Sequence, residues 1–316
     1  MFAVRGVAVS LSAFFLLYIV FSLMVLLAWR GVRRFRAGCP ARWFADLLFW
    51  LRISPLAAAI VVTAAFTVPS FILLEPHAIA EPLGAVPLVL GLGCVALLAA
   101  GAYKATVAVV RTSHVVADWV GGAPATTTDA AVPVFRTGSI APALTVVGIR
   151  QPRVVLSEAG AAALSESELR TALQHEVAHV RRWDNLKKLM FRFCSFPGMS
   201  PLESAWLEAA EMAADDAAVS SLTEALDLAA ALIKLSRISP ARACPEIATG
   251  LLHGAAALVN ARVERLIAWD DSRTQRSGER NWWYAAVPLL GVAVSLALTY
   301  SALISRVHMA TEWLVR

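Results

Sequence analysis

The most specific chemistry in the chain lies in five residues, His175-Glu176-Val177-Ala178-His179, an H-E-x-x-H pattern. Residues four apart on a helix lie on one face. Two imidazoles so placed can grip one ion, and the intervening carboxylate can reach an attacking water. With 6 His and 14 Glu in 316 residues, chance yields the pattern in roughly five chains per thousand. A catalytic zinc site keeps three protein ligands and one open position, so a third ligand must come from elsewhere. The run Glu208-Ala209-Ala210-Glu211-Met212-Ala213-Ala214-Asp215-Asp216 offers it. Glu211 and Asp215 share a helix face, with Glu211 as the expected ligand and Asp215 as an acceptor that fixes an imidazole or the ligand carboxylate. Glu208, one turn earlier, is the competing ligand. Asp184, five residues after His179, either orients the site or caps the adjacent basic stretch. Glu176 is the expected base, taking a proton from water and passing it to the leaving amine. His253, Arg262 and Arg265 are candidate oxyanion donors, with a structural role the simpler reading.

These residues need elements to hold them. Ser165-Glu166-Ser167-Glu168 is a capping box before an apolar run and predicts a helix from there to about Cys194, where Phe196-Pro197-Gly198 breaks it. Further helices are expected over about Pro201–Ser220, Thr223–Ile238 and His253–Trp269. Val132–Arg136, Leu144–Val147 and Arg153–Leu156 read as two or three strands of a small sheet, punctuated by Gly and Pro. Gly121–Thr128 reads as a flexible connection. Leu144–Val147, taken as an edge strand, would pair with an extended peptide substrate.

Composition places this domain beside a membrane. Hydrophobic residues make up 58% and charged residues 16%, against about 25% charged in soluble domains. A span needs about 20 apolar residues. Four stretches qualify: about 7–29, 53–74, 83–110 and 282–305. The first is too long for a signal h-region and no small-x-small site follows it. The loop 30–52 holds six arginines against Asp46, a net of +5, whereas 75–82 holds no Lys or Arg. Basic loops stay cytoplasmic, so a multi-pass plasma or inner-membrane protein is expected, with both termini outside and 111–281 inside. Residues 42–50 form either a surface helix or the early start of a tilted second span. Segment 111–281 holds 18 Lys or Arg and 19 Asp or Glu, a net of −1. The sequence pI near 9.3 is therefore a topology signal, and direct nucleic-acid binding is not expected. Four cysteines without a CxxC pair give neither a disulfide framework nor a cysteine zinc site.

The stretch from Pro152-Arg153-Val154-Val155-Leu156-Ser157 through His175-Glu176-Val177-Ala178-His179-Val180-Arg181-Arg182-Trp183-Asp184 resembles the core motif of the BlaR/MecR-type integral-membrane zinc metallopeptidases. Glu211-Met212-Ala213-Ala214-Asp215 is similar to that family's E-x-x-x-D motif, and Asn260-Ala261-Arg262-Val263-Glu264-Arg265-Leu266 to a later arginine-bearing helix. The resemblance implies a mainly α membrane protein with three N-terminal spans, a cytoplasmic α+β gluzincin-like domain containing a small sheet, and a fourth span. It implies Zn2+ held by His175, His179 and Glu211, Glu176 as base, and a cytoplasmic substrate such as a winged-helix BlaI/MecI-like repressor. Family members that sense β-lactams carry a penicillin-binding domain beyond the last span. Here 306–316 follow as a short outer tail, without an S-x-x-K serine site. The signal is then expected through the spans with their lipid, the outer loops, or a homodimer or sensor partner. Membrane quality-control proteases of the HtpX or CAAX kind share both motifs in another arrangement of spans. A non-proteolytic signalling scaffold is the third reading, which an intact Glu176 disfavours.

Overall fold

The computed structural model describes residues 2–32, 39–75, 84–121, 125–126, 132–138, 141–238, 247–251, 256–269 and 299–312. It is mostly helical with one small mixed sheet. It divides into two compact units, one of Met1–Gly31, Ile53–Gly101 and Gly278–Arg316, the other of Val32–Arg52 and Ala102–Ser277.

Apolar composition and length dominate the first 120 residues of the chain. Helices α1 (Phe2–Val32), α2 (Ala41–Val62) with its continuation α3 (Val68–Leu74), and α4 (Ala85–Val120) supply three segments of 31, 34 and 36 residues. Their mean hydropathies are 2.6, 2.2 and 2.2. Each is long and apolar enough to cross a bilayer, whose hydrocarbon core takes about 20 helical residues. Most of the large exposed apolar side chains lie on these helices, Leu27, Trp50, Leu73 and Leu92 among them. Water-facing surfaces seldom gather such patches. Residues 42–50 are the early start of the second segment, because α2 begins at Ala41. Of the expected fourth span, 282–298 lie outside the described residues, and 299–305 belong to helix α11 (299–312).

Proline shapes the second segment. Pro69 has no N–H for the carbonyl four residues back, Ala65. A π-helical turn, Thr63–Thr67, lies there, and the Tyr300 hydroxyl donates to Ala65 O at 2.7 Å. Arg5 and Glu75, both buried, pair at 2.9 Å.

The second unit carries the sheet, in order β1-β2-β4-β3-β5. Its strands are β1 (Ala125–Thr126), β2 (Val134–Thr137), β3 (Leu144–Val147), β4 (Arg153–Ser157) and β5 (Ala248–Gly250). β2 and β4 run parallel and the other pairs antiparallel. The sheet has five strands rather than two or three. β1 falls inside the stretch read as a flexible connection. β1 and β5 are too short to show alternation, and pairing with β2 and β3 makes them strands. Leu144–Val147 is not an edge: β4 bonds it on one side and β5 on the other, so it has no free ladder for a substrate.

The apolar runs of β3 and β4 face two cores. Val146, Val154 and Leu156 join the main helical core, while Val147 and Val155 pack with Ala248 against Val116, Trp119 and Val120. That second contact explains why α4 continues to Val120, ten residues beyond the expected span end. After a short helix α5 (Glu158–Ala163) come α6 (Glu166–Arg181), α7 (Asp184–Phe193), α8 (Ser200–Ala218), α9 (Leu222–Ile238) and α10 (Ala256–Ile267). Helices α8 and α9 lie on α6, and α10 lies on α9.

The helix expected to run unbroken to Cys194 is two helices. Trp183 adopts a left-handed conformation, φ 57°, between α6 and α7. Five residues along one helix rotate a side chain by about 140°, which would carry Asp184 off the His179 face. The turn at Trp183 brings it back. Asn185 then anchors α7, donating to Gly148 O at 3.0 Å. Gly148 has φ +90°, and a Cβ there would meet Gln151 O at 2.6 Å, so the β3–β4 turn requires glycine.

Candidate metal centre

Helix α6 starts with a complete capping box. The Ser165 amide donates to Glu168 Oε2 at 2.7 Å, and the Glu168 amide donates to Ser165 Oγ at 3.3 Å. Lys234 of α9 donates to both Glu168 oxygens at 2.7 Å, fixing the helix start to its neighbour. About two and a half and three and a half turns into the helix, His175 and His179 face α8. That helix presents alanine at its buried positions, Ala210, Ala213 and Ala214 among them. Small residues let two helix backbones approach, so the Glu211 and Asp215 carboxylates reach α6.

His175 Nε2 and His179 Nε2 lie 3.1 Å apart. Glu211 Oε2 is 3.5 Å from the first, and Glu211 Oε1 is 3.6 Å from the second. Ligand atoms bonded at about 2.0–2.1 Å around a tetrahedral ion stand roughly 3.3 Å apart. The triangle fits such an ion, and all three residues are buried. These residues can hold a metal ion. Glu208, the competing candidate, lies outside this donor group.

Each imidazole is held from behind. Asp184 Oδ2 accepts from His179 Nδ1 at 2.7 Å. Asp215 Oδ1 lies 3.0 Å from His175 Nδ1, close enough to bond, although the angle leaves Nδ1 without a well-directed partner. Backing Nδ1 by carboxylates leaves both Nε2 atoms turned toward Glu211. Asp184 serves both roles open to it, since its other oxygen faces Lys187 Nζ at 3.6 Å and Arg182 Nε at 3.7 Å.

Arg262 of α10, fully buried, completes the charge balance. Its Nε and Nη2 donate to Asp215 Oδ2 and Oδ1 at 2.9 and 2.7 Å. Its Nη1 donates to Glu211 Oε2 at 2.9 Å and to Leu251 O at 2.8 Å. This bond pattern makes Arg262 structural, as the simpler reading held. Arg265 engages Met212 O and Asp216 one turn along α8, and His253 lies outside the described residues. Val259, Arg262 and Leu266 form one buried stripe of α10. A lone arginine on an apolar helical stripe was the signal available for Arg262's role.

Burial would push the Glu211 carboxyl up, but the Arg262 guanidinium outweighs it and holds the group down at about 2. Asp215 is likewise held well below the usual range, burial being outweighed by Arg262 and the His175 ring. Burial alone would lower His175, yet Asp215 and Glu211 raise it to about 9. Burial is outweighed at Asp184 too, where the His179 bond lowers the carboxyl. Glu176 goes the other way: burial dominates and raises it despite the two imidazoles. Neither Glu176 oxygen has a hydrogen-bond partner among the described residues, although the side chain is fully buried. An uncompensated buried carboxylate is costly. Every other carboxylate of the centre has a cationic or imidazole partner.

A second group, Glu75, His308 and Glu312, also brings three ligand atoms together. It is less buried, and Arg5 already balances Glu75. No family profile matches the chain, and none of the curated proteins does.

Proposed function

We propose that the chain is a membrane-embedded zinc metalloendopeptidase with a regulatory role, cleaving a cytoplasmic protein of the winged-helix repressor kind. One observation carries the reading: a buried His-His-Glu triangle beside a buried glutamate with two unpartnered oxygens. Two imidazoles with one carboxylate suit zinc over magnesium or calcium, which take oxygen ligands. When bound, such an ion supplies Lewis acidity, polarising a substrate carbonyl and making water acidic near pH 7.

The protein groups do the rest. His175 and His179 bind through Nε2, with Asp215 and Asp184 holding the rings in orientation. Arg262 keeps Glu211 and Asp215 ionised and fixed. Glu176 takes the proton of the attacking water on a carboxylate oxygen and passes it to the leaving amine. Its raised pKa suits a group that must hold that proton between the two transfers. The ligands and the base are at most 2% exposed, which holds their donor atoms in fixed orientation. The arginines of 30–52 support a cytoplasmic placement of the catalytic unit, with both chain termini outside.

The test is cleavage of a candidate repressor by full-length protein in detergent, wild type against Glu176→Gln. The variant should lose at least about 100-fold in rate while binding zinc as before. Equal cleavage by the two proteins would overturn the assignment.

A further inference from the structure

A cavity of about 450 Å³ lies in the same unit as the metal centre but has no residue in common with it. Arg52, Lys104, Arg111 and Arg192 line it, with Glu203 as the single carboxylate, a net of +3. Glu203 faces Arg192 at 3.7 Å. Among the described residues no carboxylate pairs with Arg52, Lys104 or Arg111. Arg52 is only 3% exposed, lies 5.6 Å above the Phe191 ring, and has an Nε without a hydrogen-bond partner. A buried arginine in an excess of positive charge needs an anion.

Sequence position says which anion. Arg52 is the last charged residue before the apolar run 53–74, and Lys104 is the first after 83–103. Both stand at the same ends of two spans, the boundary between hydrocarbon and headgroups. Tyr103, Lys104, Val107 and Arg111 line the cavity as one stripe of α4, and seven residues of helix rise about 10 Å. The headgroup layer on each side of a bilayer is roughly 5–8 Å deep. The cationic stripe therefore begins where acyl chains end and covers the depth at which lipid phosphates lie. Tyr103, 71% exposed, has the amphipathic ring favoured at that level.

We infer that this cavity binds the phosphate headgroup of an anionic phospholipid from the leaflet bordering the catalytic unit. The guanidinium groups of Arg52 and Arg192 and the Lys104 ammonium surround the phosphodiester, and Arg111 reaches its outer face. The acyl chains lie along the apolar part of α4. The site is independent of the peptidase reading and stands if that reading fails.

Native mass spectrometry of the full chain in a neutral detergent tests it, with phosphatidylglycerol, phosphatidylcholine and inorganic phosphate as probes. Wild type should retain phosphatidylglycerol in preference to phosphatidylcholine, and inorganic phosphate at equal concentration should not displace it. A basic residue near an anionic lipid surface is worth about fivefold in affinity. Lys104→Gln with Arg111→Gln should then weaken phosphatidylglycerol binding about 25-fold. Both side chains are exposed, so the variant should keep the wild-type melting temperature. Lys104→Arg with Arg111→Lys should restore binding, and Arg170→Gln with Arg237→Gln, away from the cavity, should leave it intact. Equal retention of the two lipids, or a Lys104/Arg111 variant no weaker than the Arg170/Arg237 one, would overturn the site. Displacement by inorganic phosphate would overturn it in favour of a soluble anion.

Discussion

Arg262→Met is the sharpest probe of how the centre is held together. Methionine keeps much of the side-chain length and removes the charge and four hydrogen bonds, three of them to carboxylates. Glu211 and Asp215 would remain in a site from which water is excluded, without their main counter-charge. Breaking a buried ion pair from one side costs about 3–5 kcal/mol. For a domain of this size each kcal/mol moves the melting temperature by about 2–4 °C, so a drop of roughly 6–20 °C is expected. The assay is thermal unfolding of the full chain in detergent, followed by tryptophan fluorescence, for which the fully buried Trp206 is a suitable reporter. Removing Asp215's charge as well, in Arg262→Met with Asp215→Asn, should cost less than the sum of the single changes by about 2 kcal/mol. Added zinc supplies positive charge beside Glu211 and should recover part of the loss. A single variant that melts within about 2 °C of wild type, or strictly additive effects, would refute the charge-balance reasoning.

Two further outcomes follow from the same geometry. Asp184→Asn and Asp215→Asn should each weaken zinc binding about 10- to 100-fold in a chelator competition, because each carboxylate orients one imidazole. Lys234→Met should cost about 0.5–1 kcal/mol in thermal unfolding at pH 7 and progressively less as pH falls through the lowered Glu168 value. Burial would raise the Glu168 carboxyl, but the Lys234 bond and the Ser165 amide hold it below its ordinary value. A lowered carboxyl contributes fully above the unfolded value, about 4.3, and its contribution is lost as pH falls through the folded value.

Much of the centre was legible in the sequence because its signals are local. The capping box fixes where α6 begins, and the four-residue spacing then fixes which way His175 and His179 point. The acidic α8 face supplied both Glu211 and the neighbour Glu208, and only the packing of α8 on α6 separates them. What was not legible depends on partners distant in the chain. Nothing in Ala248-Thr249-Gly250 announces a strand; it becomes one by pairing with β3, and so closes the edge that was read as open to substrate. The break at Trp183 has no Gly or Pro to mark it, and its purpose appears only once Asp184 is seen against His179. Arg262 is 47 residues from Asp215 in sequence, too far for any spacing rule to link them.

Zinc content of the purified full chain tests the central claim most directly. Elemental analysis after zinc loading and gel filtration should find one ion per chain in wild type and in Glu176→Gln. His179→Ala, and separately Glu211→Ala, should fall to near zero. A folded wild-type chain that retains no zinc, or a His179→Ala chain that retains as much as wild type, would contradict the account.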